Sequence, residues 1–408
     1  MTDELNAPAS SLLPLLDPSI LNLRPPITTE EPAMPTENVY RRLQAHIDKM
    51  PVPFPATESG VELRLLEHLF TPEEAEMALH LSALPEPVEK IHRRAKKAGI
   101  GRDELEAGLS RLAKKGAIIK TQIKGKPAYS KAQLAIGMFE FQAGRITKEY
   151  HADFRKYMEE GFAEAVFAPK TSQMRTIPIN EEVIPDRRVG TYDGARELVM
   201  KSKGPFAVMS CVCRDGMDLE GQPCQQTDIR ETCLLLGHVP DGMFGDGVAR
   251  EVSREEMLGF VDRANDVGMV LQPENTQDPK YICCCCGCCC AVLSTAKKLP
   301  RPAEYFEANY YADVDPELCT ECRNCSDRCQ MEAITYSDGP SAVDHLRCIG
   351  CGLCVSTCPS GAIQLFEKED AKTPPKTQTA LYMQILRERY GTLRTAKLAA
   401  KKVLGMKI

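Results

Sequence analysis

The 408-residue chain is 43% hydrophobic and 26% charged, with a formal charge of −6, a balance that gives no general pull toward nucleic acid or lipid. Its 19 cysteines exceed ordinary core use, and a chain this long with an acidic N-terminus does not read as a secreted disulfide scaffold. The sulfur therefore points to metal or redox chemistry in a reducing, cytoplasmic setting.

Residues 1–36 hold seven prolines and no helical period, and they read as a flexible or wrapping tail, neither export signal nor anchor. A helical domain is expected over 37–148. Its first helix runs from about Glu37 to Met50. A second begins at Thr71-Pro72-Glu73-Glu74, which orders an N-cap, a first-turn proline and a capping-box glutamate. Two further helices fit "PVEKIHRRAKKAG" and "RDELEAGLSRLAKKG". Strands "AIIKTQ" and "PAYSKA" turn at Lys124-Gly125-Lys126. Three helices and a β-hairpin resemble a winged helix-turn-helix.

Residues 149–312 are expected to form a mixed α/β, cysteine-rich domain. Strands are predicted at "QMRTIPI" and "PFAVMSCVC", and a helix at "SREEMLGFVDRANDVG" with Ser253 and Glu256 as a capping box. Residues 313–367 carry regular cysteines, and 368–408 read as a basic helical tail that packs on protein rather than membrane. The whole is an α+β multidomain chain.

Two stretches, "CTECRNCSDRCQ" and "CIGCGLCVSTCP", share the spacing C-x-x-C-x-x-C-x-x-x-C. Cys319, Cys322, Cys325 and Cys329 map onto Cys348, Cys351, Cys354 and Cys358 at a constant offset, as do Asp315 onto Asp344 and Ala333-Ile334 onto Ala362-Ile363. Three cysteines on a tight loop can wrap one cubane while the fourth, starting a helix, points at the other. Cys319, Cys322 and Cys325 are thus expected to take Cys358, and Cys348, Cys351 and Cys354 to take Cys329. Gly350 and Gly352 let backbone N–H groups approach the sulfurs. Zinc also suits C-x-x-C pairs, but the triple-then-single order and Cys358-Pro359 favour iron–sulfur clusters. This segment, about 315–366, resembles bacterial-type two-cluster [4Fe-4S] ferredoxins, with Gln330 standing where that pattern has proline.

The other cysteines are irregular. Cys211 and Cys213 are expected to end a strand on one face, with Cys224 in a glycine-containing loop and Cys233 in a short helix, together forming a third cluster. The run "YICCCCGCCC" then supplies Cys283, Cys284, Cys285, Cys286, Cys288, Cys289 and Cys290 as ligands for a further cluster or for completing the third. If the run is extended, Cys283 and Cys285 face one way and Cys284 and Cys286 the other, while Gly287 permits a turn or a close approach. Buried apolar cysteine is the plain alternative for Cys233. The order of segments resembles bacterial proteins described as 4Fe-4S binding proteins, with a winged-helix-like front and a C-terminal dicluster ferredoxin domain.

That resemblance implies electron transfer within an oxidoreductase complex. The expected cofactors are two [4Fe-4S] clusters plus one or two more, with iron held by the cysteines above. Expected partners are redox proteins such as flavoprotein or membrane-dehydrogenase subunits, with neither nucleic acid nor membrane insertion. No Walker P-loop or dinucleotide fingerprint is present, and no catalytic residue is assigned. Two alternatives are a redox-responsive winged-helix regulator and an oxidoreductase with a non-standard cluster at the run. Lys90, Arg93, Arg94, Lys96 and Lys97, with Lys120, Lys124 and Lys126 at the wing, favour the regulator, whereas Asp103, Glu104 and Glu106 oppose it.

Overall fold

Local signals set the first helices where polar caps meet apolar spacing. The computed structural model describes residues 38–179, 193–237, 247–403 and 406–407, so the predicted tail at 1–36 lies outside the described residues. The first helix is Val39–Ile47, capped by the Asn38 side chain and shorter at both ends than expected. An unexpected helix, Val61–Leu69, follows, and the one after it, Pro72–Ala78, has the full capping box: Thr71 Oγ1 accepts the Glu74 amide, and Glu74 Oε2 accepts the Thr71 amide at 3.0 Å. Helices Val88–Ala95 and Arg102–Lys114 follow, then a hairpin of Ile118–Ile123 with Lys126–Lys131. Glu86–Pro87 pairs with the second hairpin strand to give a three-stranded sheet.

The middle region is built on a five-stranded, wholly antiparallel sheet. Its spatial order is Ala249–Val252, Phe206–Ser210, Glu231–Leu236, Tyr281–Cys285, Val270–Pro273. "QMRTIPI" yields only a two-residue strand, Arg175–Thr176, plus single bridges at Met174 and Ile177. The helix Arg254–Asp266 is capped by Ser253, but Glu256 does not complete the predicted box; its carboxylate receives Arg250 instead.

Two expectations for the irregular cysteines change here. The strand Phe206–Ser210 stops one residue short of Cys211, which caps the helix Val212–Leu219, so Cys213 is helical rather than strand-borne. Cys233 lies in the strand Glu231–Leu236, not in a helix. Thr232, Leu234 and Leu236 are buried on one face, so the leucine run conceals a period of two.

The C-terminal repeat folds as two interlocked halves. Val314 pairs with Ile363, and its repeat equivalent Val343 pairs with Ile334. The Asp315 amide bonds the Ala362 carbonyl at 2.7 Å, and the Asp344 amide bonds the Ala333 carbonyl at 2.7 Å. Each half thus closes the other. This segment shares one core with the sheet: Ile282 and Leu293 pack in the same cluster as Ile349, Leu353 and Leu365. A fully buried leucine contributes about 2 kcal/mol, which binds the two regions firmly. The helix Gln378–Val403, kinked at Gly391, returns to the N-terminal helices, where Arg389 and Tyr390 bond backbone carbonyls at Asp48 and Pro51. No described helix is long and apolar enough to cross a membrane.

Candidate metal centres

All 19 cysteines are free thiols, and the fold sorts them into three groups. The first is the repeat. The Ala333 amide points at Cys329 Sγ at 3.2 Å and the Ala312 amide at Cys348 Sγ at 3.4 Å, while Ser341 and Ser360 hydroxyls lie 3.6 Å from Cys325 and Cys358. Such N–H and O–H dipoles offset the charge of an anionic thiolate-ligated cluster, so this donor set fits one. Burial pushes the Cys351 thiol up to about 12, and the nearby Cys329 sulfur adds to it. Cys329 also raises Cys348 and Cys354, after burial in each case, so it sits in the electrostatic reach of all three. Gly350 has φ of 65° between these ligands, as a loop wrapping close around its sulfurs requires.

The second group is a tight tetrad. Cys224 Sγ lies 3.7 Å from both Cys286 Sγ and Cys288 Sγ; Cys288 Sγ lies 3.5 Å from Cys286 Sγ and 3.6 Å from Cys289 Sγ. All four sulfurs fall within 4.8 Å of one another. Cys224 is therefore drawn to the run, and its nearest thiols are not those of Cys211, Cys213 or Cys233.

The third group lines a cavity of about 100 Å³ between the sheet and the N-terminal helices, with room for more than a single water. Register explains it: Met209 opposes Cys233, which opposes Cys283, so these side chains share the face that looks into the cavity. Cys285 follows two residues on, beside Cys283 and Cys290, and Cys211 and Cys213 stand together at the same wall. The alternation expected of the run is thus realised for Cys283 and Cys285. Cys286 turns to the tetrad, and Cys284, buried in the core, also borders the cavity.

Arg214, unassigned from sequence, is fully buried between the last two groups. Its Nη1 donates to Thr232 Oγ1 at 2.6 Å and its Nη2 to the Cys284 carbonyl at 3.2 Å. Burial works against its charge, but the sulfurs of Cys211, Cys286 and Cys224 more than restore it. Glu140 also faces the cavity; desolvation pushes its carboxyl up to about 7, against a 2.7 Å hydrogen bond from the Gly137 amide.

Gln330 joins the groups. Its Oε1 accepts the Gly287 amide at 2.7 Å and its Nε2 donates to Gln226 Oε1 at 2.8 Å. A proline there could make neither bond, which accounts for the departure from the ferredoxin pattern. Gly287 is needed because a Cβ would stand 2.3 Å from the Gln330 carbonyl oxygen. Gly287→Ala is expected to push this junction apart at a cost of about 1–3 kcal/mol. A lower midpoint in anaerobic thermal unfolding, with ferredoxin iron retained, checks it.

Residues 318–363 and 347–389 each match a family model described as a 4Fe-4S dicluster domain. An uncharacterized ferredoxin of Methanocaldococcus jannaschii is 46% identical over 53 residues, 12% of this chain and 35% of that protein. Indolepyruvate oxidoreductase subunit IorA of Methanothermobacter marburgensis is 41% identical over 148 residues, 34% of this chain and 22% of that one. Formate hydrogenlyase subunit 2 of Escherichia coli is 33% identical over 66 residues, covering 16% and 32% respectively. The chain spans about a third or less of the length of the first of these relatives. No solved structure matches.

Proposed function

We propose that this chain, a 4Fe-4S binding protein, relays single electrons between redox proteins, with its C-terminal domain at one end of the path and the cysteine-lined cavity at the other. The observation that carries the reading is Gln330, the residue after Cys329, hydrogen-bonded to Gly287 inside the cysteine run. Cluster ligands and the run are thereby neighbours through one side chain. When bound, the clusters supply one-electron storage. Cys319, Cys322, Cys325 and Cys358 are assigned to one and Cys348, Cys351, Cys354 and Cys329 to the other, in keeping with the interlocked pairing of the halves. Cys211, Cys213, Cys233, Cys283, Cys285 and Cys290 around the cavity are the candidates for a third.

The chain's own residues do the positioning. Arg214 holds positive charge beside the sulfurs, and the apolar wall of Phe139, Phe154 and Phe162 limits water at the cavity. The relatives named as oxidoreductase subunits support a place in such a complex. The front of the chain is read as a winged-helix-like docking module. Lys90 and Arg94 both pair with Glu86, Arg102 pairs with Glu89, and Glu104 is engaged at the Gly101 amide. With Lys90 and Arg94 neutralised by Glu86 and acidic residues in the first turn of the helix Arg102–Lys114, this surface favours protein docking over DNA.

Iron and sulfide content of anaerobically purified protein, with EPR through a reductive titration, tests the reading. About 12 irons per chain are expected, four for each ferredoxin cluster and four at the cavity. About 8 would remove the cavity from the path, and clusters that no reductant titrates would overturn electron relay altogether.

A further inference from the structure

The tetrad differs in kind from the ferredoxin quartets. Four thiolates 2.3 Å from a single tetrahedral ion stand about 3.8 Å apart. Four of the six sulfur separations in the tetrad, at 3.5–3.7 Å, match that spacing, and all six lie within 4.8 Å. A cubane spreads its four thiolates over four separate irons, so they stand much further apart. The ferredoxin cysteines behave accordingly: among the described residues, the tetrad alone brings three or more candidate ligand atoms within 4.8 Å of one another.

Second, the backbone is arranged as a metal knuckle. The backbone of Gln226 and Thr227 lies beside Cys224 Sγ and that of Gln225 beside Cys288 Sγ, so one short turn borders two sulfurs. Third, a countercharge is in place, because four thiolates on a divalent ion leave two negative charges and the buried Arg214 is held beside them by Thr232 and the Cys284 carbonyl.

We propose that Cys224, Cys286, Cys288 and Cys289 bind one tetrahedral divalent transition-metal ion, zinc or iron, rather than an iron–sulfur cluster. The ion pins two loops, 224–227 and 286–289, whose other attachment is the two-sided hydrogen bonding of Gln330. It thus fixes the spacing between the dicluster domain and the cavity. It stands apart from the electron-relay reading, since a pin is required whether or not the cavity holds a cluster.

The test uses full-length, anaerobically purified protein. Metal and acid-labile sulfide are measured for the parent, Cys224→Ala and Cys289→Ala. Each variant is expected to lose about one metal ion per chain and no sulfide. Hydrogen exchange at 286–290 is expected to rise in both variants, because the pin is gone while Gln330 remains. X-ray absorption of the parent separates the two ions independently of how the variants fold. Zinc gives four sulfurs at about 2.3 Å and no metal neighbour. Iron gives a mononuclear high-spin ferric EPR signal on oxidation. The proposal is overturned if a variant loses several irons with matching sulfide, or if the parent holds neither zinc nor mononuclear iron.

Discussion

Cys329→Ala is expected to remove about four irons per chain, and adding Cys351→Ala to it is expected to remove no more. Adding Cys322→Ala instead should remove about eight. The reason is the proposed crossed arrangement, in keeping with Cys329 lying on the first cysteine loop by sequence while raising the thiols of Cys348, Cys351 and Cys354 on the second. Two substitutions that act on one cluster are not additive, whereas substitutions on separate clusters are. Iron and sulfide counts on the three proteins decide it. If Cys329 and Cys351 together cost eight irons, ligation follows the loops and the crossing is wrong.

Gly350→Ala is expected to be among the most damaging single substitutions outside the cysteines. Its backbone has φ of 65°, which costs a residue with a Cβ about 1–2 kcal/mol. In addition the Cβ would meet the Tyr310 carbonyl oxygen at 2.1 Å, a backbone atom held in the strand Tyr310–Val314. Relief requires moving either that strand or the loop between Cys348 and Cys351, so the cluster held there is lost with the packing. A combined penalty of about 3–5 kcal/mol is expected, in the range that marks a specific structural failure. Gly361→Ala provides the control: its φ of 67° is nearly the same, but nothing lies within 4 Å of the new Cβ. Anaerobic denaturant titration should show the control losing only the conformational part. Equal losses in the two variants would mean that the Tyr310 contact yields freely.

How much could be read beforehand depends on how local each interaction is. The repeated cysteines were legible because a cluster loop carries its spacing within a dozen residues, and the constant offset extended to Asp315 and Asp344, whose amides close the opposite halves. The capping box at Thr71 was legible for the same reason. Cys224 was not, because its partners lie more than sixty residues away and depend on how the 224 loop meets the end of the strand Tyr281–Cys285. Cys233 was obscured because three consecutive leucines carry no visible alternation, and only the pairing with Cys283 fixes its face. Arg214 followed two cysteines in plain view, yet its role as countercharge emerges only when Cys286 arrives from another strand. Gln330 stood out as a departure from the ferredoxin pattern, but its partners Gly287 and Gln226 were beyond sequence reach.

The returning helix Gln378–Val403 has a consequence in time. Tyr382 bonds Gln133 at 2.8 Å and meets Gln173, while Glu388 holds Thr171, so this helix braces the wall that Gln173 lends to the cavity. Ribosomal synthesis delivers that brace after the cysteines from Cys211 to Cys358 have emerged. The order of synthesis thus presents the cavity thiols before the helix that braces their wall.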